Sequence, residues 1–211
     1  MIENAVSRRK DKEGTKATIV TAAKEVLAKT GFGGFGVNAV AREAGCDKQL
    51  IYRYFGGLEG LVEAIGTELA SELKAELGRF AENASPQSYA ELIALMVKGL
   101  IHILRNSPIM RQINAWEVAA PSPMVELLTQ ARSQELLRWV SIIRGDLVQP
   151  EDIDVMALNA ILLAAAQQLV LASSATGVYS AVPLQSDDDW QRVEAAFAVL
   201  IAGAYPDDND R

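Results

Sequence analysis

The segment from Val37 to Leu61, VNAVAREAGCDKQLIYRYFGGLEGL, constrains the fold of this chain more than any other. Val37, Val40, Ala41 and Ala44 recur at helical spacing and make one apolar face. Gly45 then supplies the backbone freedom that a sharp reversal needs. Asp47 is placed to accept hydrogen bonds from the free N–H groups of a following helix. In that second helix Leu50, Ile51 and Phe55 fall on the inward side, leaving Lys48, Gln49, Tyr52, Arg53 and Tyr54 outside. The pattern predicts two short helices joined by a tight turn, with a third helix opening near Gly57. A helix-turn-helix whose second member begins Lys-Gln and carries Tyr and Arg suits the DNA major groove. Lys donates well to guanine O6 and N7, and Gln pairs with adenine N6 and N7. The Tyr52 and Tyr54 hydroxyls suit phosphate oxygens, contacts that fix docking without reading sequence.

Val40-Ala41, Ala44-Gly45, Ile51-Tyr52, Tyr54-Phe55 and Leu61 stand in register with the pattern I-A-x-x-A-G-V-S-x-x-x-L-Y-x-[YH]-F-x-x-K-x-x-L. On these residues the chain resembles the tetracycline-repressor (TetR) family of bacterial transcription regulators. With the helix before it, the motif covers about a quarter of the chain. The resemblance implies an all-α fold, with an N-terminal three-helix head and a C-terminal helical bundle for effector binding and dimerisation. It implies a ligand-responsive repressor that binds double-stranded DNA as a homodimer, without a cofactor. The chain departs from the pattern in several places. Gly36 stands where Ser or Thr often caps, and offers no side-chain acceptor. Cys46 replaces a usual Val, Asp47 replaces a common Ser, and Gln49 and Leu50 replace smaller residues. Leu58 replaces a frequent phosphate-binding Lys, so one ionic contact is missing, although the N–H groups around Gly57 remain open to a phosphate.

Charge is distributed unevenly. Residues 1–60 hold 10 Lys and Arg against 7 Asp and Glu, whereas residues 61–211 hold 10 against 20. A basic end joined to an acidic remainder suits a protein that touches nucleic acid at one end. Apolar residues make up 50% of the chain and aromatics only 6%, a balance that favours helices around a sizeable core. The longest apolar stretch, Ala157 to Ala172, is interrupted by Asn159, Gln167 and Gln168, so no membrane span is expected. The basic N-terminus leads into no apolar run, and the single cysteine makes no internal disulfide; both fit a cytoplasmic protein.

The punctuation of the chain predicts a basic arm over 1–14, a DNA-binding domain over 15–60 and an effector and dimerisation domain over 61–211. Arg8, Arg9 and Lys10 of the arm could reach phosphates or a minor groove, with a merely solvated tail the slightly favoured alternative. A first helix is expected from Thr15 to Thr30, with Thr15 and Lys16 as further backbone contacts. Asn38, at the start of the next helix, is a weaker candidate. Leu61, Ile65, Leu69, Leu73 and Leu77 repeat every four residues and predict a long amphipathic helix to about Asn83. Ser85-Pro86 marks a helix covering Tyr89–Leu104, Pro108 and the Pro121-Ser122-Pro123 break bound two more, and Gly145 and Pro150 flank a loop. The last helices are expected over Glu151–Ser174 and Asp187–Ala204, the second capped by Ser186, with a loop between them and no strand.

Met96, Leu100, Ile103, Met110, Trp116 and Trp139 are candidates to line a pocket for a small, largely apolar effector, with Gln167 and Gln168 holding a polar group. For any one of these residues core packing is the leading reading. His102 is the only histidine and suggests no metal site. Cys46 reads as a small apolar filler rather than a redox switch. In the resembled family the last two long helices pack as a four-helix bundle in the dimer. The small residues Ala160, Ala164, Ala165, Ala198 and Ala202 would allow that close approach. A phosphate loop, a nucleophile elbow and a metal-ligand cluster are missing, which argues against an enzyme. The alternative left open is a helical protein-interaction adaptor that has lost specific DNA binding.

Overall fold

The computed structural model describes residues 2–120 and 122–206, with side chains from residue 12 onward. The fold is all-α, with nine helices among the described residues: α1 (Ile2–Gly34), α2 (Val37–Glu43), α3 (Lys48–Phe55), α4 (Leu58–Phe80), α5 (Tyr89–Asn106), α6 (Pro108–Ala119), α7 (Pro123–Arg144), α8 (Val155–Ala175) and α9 (Asp187–Ala204). The chain divides into two compact units. The first holds residues 1–71 with 116–133, and the second holds 72–115 with 134–211.

In the first unit, α1 begins far upstream of the expected Thr15. Its backbone is helical from Ile2, and no Gly or Pro interrupts the run before Gly14. The side chains of Arg8, Arg9 and Lys10 lie outside the described residues. At the other end α1 breaks where the sequence places its stop: Gly31 has φ 64° and turns the chain into a last helical turn. Ile19, Ala23 and Leu27 of α1, Val40 of α2, Ile51 of α3 and Leu61 and Ile65 of α4 are all fully buried and form the core of this unit. The later part of the chain returns to this unit. Trp116 lies against Phe32, with ring centroids 4.7 Å apart, and Leu128 of α7 packs near Gly66 of α4.

The repeating leucines of α4 are buried from Leu61 to Leu77, as a single-faced helix requires. Pro121 lies outside the described residues, and Ser122 heads α7 by accepting from the Val125 N–H at 3.3 Å.

In the second unit α5 is central, packed on both α8 and α9. Its cap is Ser88, three residues beyond the Ser85-Pro86 signal, and it accepts from the Glu91 N–H at 3.2 Å. α8 also starts later than expected. Its cap is Asp154, and Glu151 and Asp152 precede the helix instead of forming its first turn. This helix is long and apolar enough by length and composition to cross a membrane; those are also the properties of a bundle helix, and it packs on α5. The expected loop before α9 contains a two-residue hairpin, Val178–Tyr179 pairing with Val182–Pro183. Ser180 and Ala181 both have positive φ, as a tight two-residue turn demands. Neither residue signals such a turn in sequence, which is why no strand was expected. α9 starts where its acidic run predicts, with a reciprocal capping box between Ser186 and Asp189.

Candidate nucleic-acid interface

The second helix of the pair is held from both ends. At its start Asp47 Oδ1 accepts from the Gln49 N–H at 2.8 Å. At its end Gly56, in the left-handed region, donates its N–H to the Tyr52 carbonyl at 2.9 Å. Between them Ile51 is 0% exposed and pins the helix to the head, while the next residue, Tyr52, is 56% exposed. Lys48, Gln49 and Arg53 are exposed beside it; Leu50, Tyr54 and Phe55 are half-buried. The turn before α3 is closed by the Cys46 N–H donating to the Ala41 carbonyl at 3.0 Å. α2 is tied to α1 by Lys29 and Glu43 at 2.8 Å, and Lys29 draws the Glu43 carboxyl below its ordinary pKa.

Two groupings emerge on this head. An open groove of about 570 Å³ runs along residues 33–39 and is completed by Lys48, Tyr52 and Leu58. It brings together three of the expected DNA contacts, Asn38, Lys48 and Tyr52. Leu58 sits where the family pattern carries a cation. The second grouping is aromatic and cationic. Arg53 donates to the Tyr54 hydroxyl at 3.0 Å and its guanidinium lies 4.9 Å from that ring, while the Lys12 ammonium lies 5.9 Å from it. Lys12 was not singled out from the sequence, because only the long α1 brings it to Tyr54. Gln49 lies on exposed α3 outside the groove, and Thr15 and Lys16 are half-buried on α1.

Gly60 is a second residue the pattern does not reveal. A Cβ there would run into the Phe55 carbonyl, so the end of α3 lies directly on the backbone of α4. Cys46 carries no activated thiolate: burial, and then the charge of Asp47, push its thiol above the ordinary pKa.

Several of the pocket candidates gather in the second unit. Met96, Leu100 and Ile103 share one face of α5 with Gly99, at helical spacing. The Trp139 ring of α7 lies 3.8 Å from the position a Cβ on Gly99 would take, beside the Phe80 ring at 3.4 Å. Ile103 and Met110 are buried; Met96 and Leu100 are half-buried. Trp116 does not join them, because its ring is held by Phe32 in the first unit. Gln167 is half-buried on α8 and Gln168 is exposed. His102 bonds Glu76 Oε1 at 2.8 Å and lies 5.3 Å from the Phe80 ring; this bond, and then Arg79, hold the Glu76 carboxyl below its usual pKa.

Residues 19–65 match the model of the bacterial regulatory proteins of the tetR family. No curated protein matches the chain. Among solved structures it is similar to the transcriptional regulator FadR from Bacillus subtilis in complex with stearoyl-CoA, with 16% identity over 89% of this chain and 98% of that one and a TM-score of 0.64. It is also similar to a TetR family transcription regulator from Marinobacter aquaeolei VT8, with 17% identity, 94% and 98% coverage and a TM-score of 0.61. The fatty acid degradation regulator FadR from Bacillus halodurans shares 15% identity over 90% of this chain and 95% of that one, at a TM-score of 0.62. At these identities the likeness establishes the fold.

Proposed function

We propose, from the premise that this chain belongs to the TetR family through its residues 19–65, that it is a repressor which binds operator DNA as a homodimer and is released by a small, largely apolar effector. The observation that carries the reading is the two-sidedness of α3. Ile51 anchors the helix completely, while Lys48, Gln49, Tyr52 and Arg53 of the same helix are exposed to solvent. Lys48 and Gln49, in the first turn, read base edges. Asn38, Tyr52 and the Arg53–Tyr54 pair, with Thr15 and Lys16 on α1, hold the phosphates. Residues 15–60 act as the DNA-binding domain on this reading, and residues 61–211 carry effector binding and dimerisation.

Exposed apolar surface supports the dimer. Ala160, Ala164 and Ala165 of α8 and Ala198 and Ala202 of α9 are all exposed. They lie among large exposed side chains, including Met156 at 80% and Val199 at 73%. Two symmetric heads would then meet successive major grooves about 34–36 Å apart. Effector binding works by favouring a state whose heads no longer fit that spacing, and it shifts the balance only by its difference in affinity for the two states. The structurally similar FadR from Bacillus subtilis was solved with stearoyl-CoA; an apolar stripe around Met96, Leu100, Ile103, Met110 and Trp139 fits an apolar ligand here too.

Selection of bound fragments from sheared genomic DNA tests the reading. It predicts enrichment of a two-fold symmetric sequence, with affinity that falls steeply as salt rises. Absence of any enriched sequence, together with capture of a protein partner by α3, would favour the adaptor alternative.

A further inference from the structure

Trp139 is nine-tenths buried. Its indole Nε1 is sealed from solvent, and no group among the described residues accepts its proton. Trp190, in the same unit, shows the ordinary solution: its Nε1 donates to the Leu184 carbonyl at 3.2 Å. A buried donor without an acceptor carries the whole desolvation cost of the group. A Phe at 139 would give up part of the ring's contact area but carry no such cost. The N–H is therefore a poor choice for packing alone and a good choice for recognition.

Its position says what it would recognise. The ring lies against Gly99, on the stripe of α5 that also carries Met96, Leu100 and Ile103. Gly99 leaves room there for both Phe80 and Trp139. The stripe residues themselves are hydrocarbon and thioether, so a ligand lying along Met96, Leu100 and Ile103 would find its polar partner at the indole. A single neutral N–H selects a hydrogen-bond acceptor without demanding a charge.

We propose that Trp139 Nε1 donates to an oxygen acceptor on the effector, which makes the effector an apolar chain or ring bearing an uncharged carbonyl, ester or ether oxygen rather than a pure hydrocarbon. The proposal rests on the effector reading above and goes one step further, to the ligand's chemical class.

Two probes of equal chain length, 2-nonanone and nonane, separate the two levels. The full chain carries ¹⁵N in its indoles and ¹³C in its methionine methyls. The Trp139 signal is identified by Trp139→Phe, or by elimination with Trp116→Phe and Trp190→Phe should the first variant not fold. Both probes are expected to shift the Met96 and Met110 methyl signals, and only the ketone is expected to move the Trp139 Nε1–H signal downfield. Trp139→Phe is expected to weaken ketone binding about three- to ten-fold and to leave nonane within about two-fold. If both probes move the methyls but the indole responds to neither, or to both alike, the acceptor proposal is overturned while the pocket stands. If ketone affinity is unchanged in Trp139→Phe, it is likewise overturned. If no methyl signal responds to either probe, the effector stripe itself is wrong, and the proposal falls with it.

Discussion

Asp47 concentrates local chemistry in one side chain, since its bond to the Gln49 N–H fixes the first turn of the helix that carries Lys48 and Gln49. Asp47→Ala is expected to cost about 0.5–2 kcal/mol of stability, measured by urea unfolding. This cap was legible in the sequence because an Asp one residue before a helical run has few other uses. A second residue-scale prediction concerns pH. Glu76 is held below its ordinary pKa of 4.5 by His102 and Arg79. A carboxylate with a depressed folded pKa adds stability above its unfolded value and loses it as pH falls through the folded one. Glu76→Gln should therefore be less stable than wild type above about pH 4.5, by no more than about 1 kcal/mol for so exposed a pair. The gap should close in stronger acid, as denaturant unfolding at several pH values would show. Lys12, in contrast, was invisible as a neighbour of Tyr54, because nothing in a polar N-terminal run states that α1 continues through it.

At the level of elements, the signals that worked were short-range. Asp47 and Ser186 cap where they should, and the spaced leucines of α4 are buried. The signals that failed involved choice among similar residues or contact across the chain. Glu151, Asp152 and Asp154 all look like openings for α8, and only the third caps it. Trp116 reads as one more apolar residue of a central helix, yet its partner Phe32 lies 84 positions earlier. The contact between α3 and α4 at Gly60 is equally silent in sequence. Gly60→Ala would force a Cβ onto the Phe55 carbonyl and displace the end of α3. A loss of about 1–3 kcal/mol is expected, as for other overpacked contacts, with operator affinity falling together with thermal stability. An unchanged melting temperature would show that the two helices separate easily.

For the whole molecule, the uneven charge and the exposed apolar residues of α8 and α9 join, on the proposed reading, in one scheme, in which a basic head would meet DNA and an acidic body a second copy. Ile161→Glu would put a charge into the exposed apolar face of α8. Sedimentation should then show a monomer with helical content intact, and operator binding should weaken strongly; a dimer surviving that change would place the interface elsewhere. The overall class was readable from composition and helical pattern, whereas the exposure of each alanine on α8 and α9, on which the proposed dimer face rests, was not. On the proposed reading, what the chain reads on DNA depends on Lys48 and Gln49. The most direct measurement is the affinity of wild type and Lys48→Ala for the selected duplex and for versions altered one base pair at a time. Lys48→Ala is predicted to lose about 1–3 kcal/mol of discrimination at one or two base pairs and none at the others. An equal loss on every duplex would contradict base reading by α3 and reduce Lys48 to a phosphate contact.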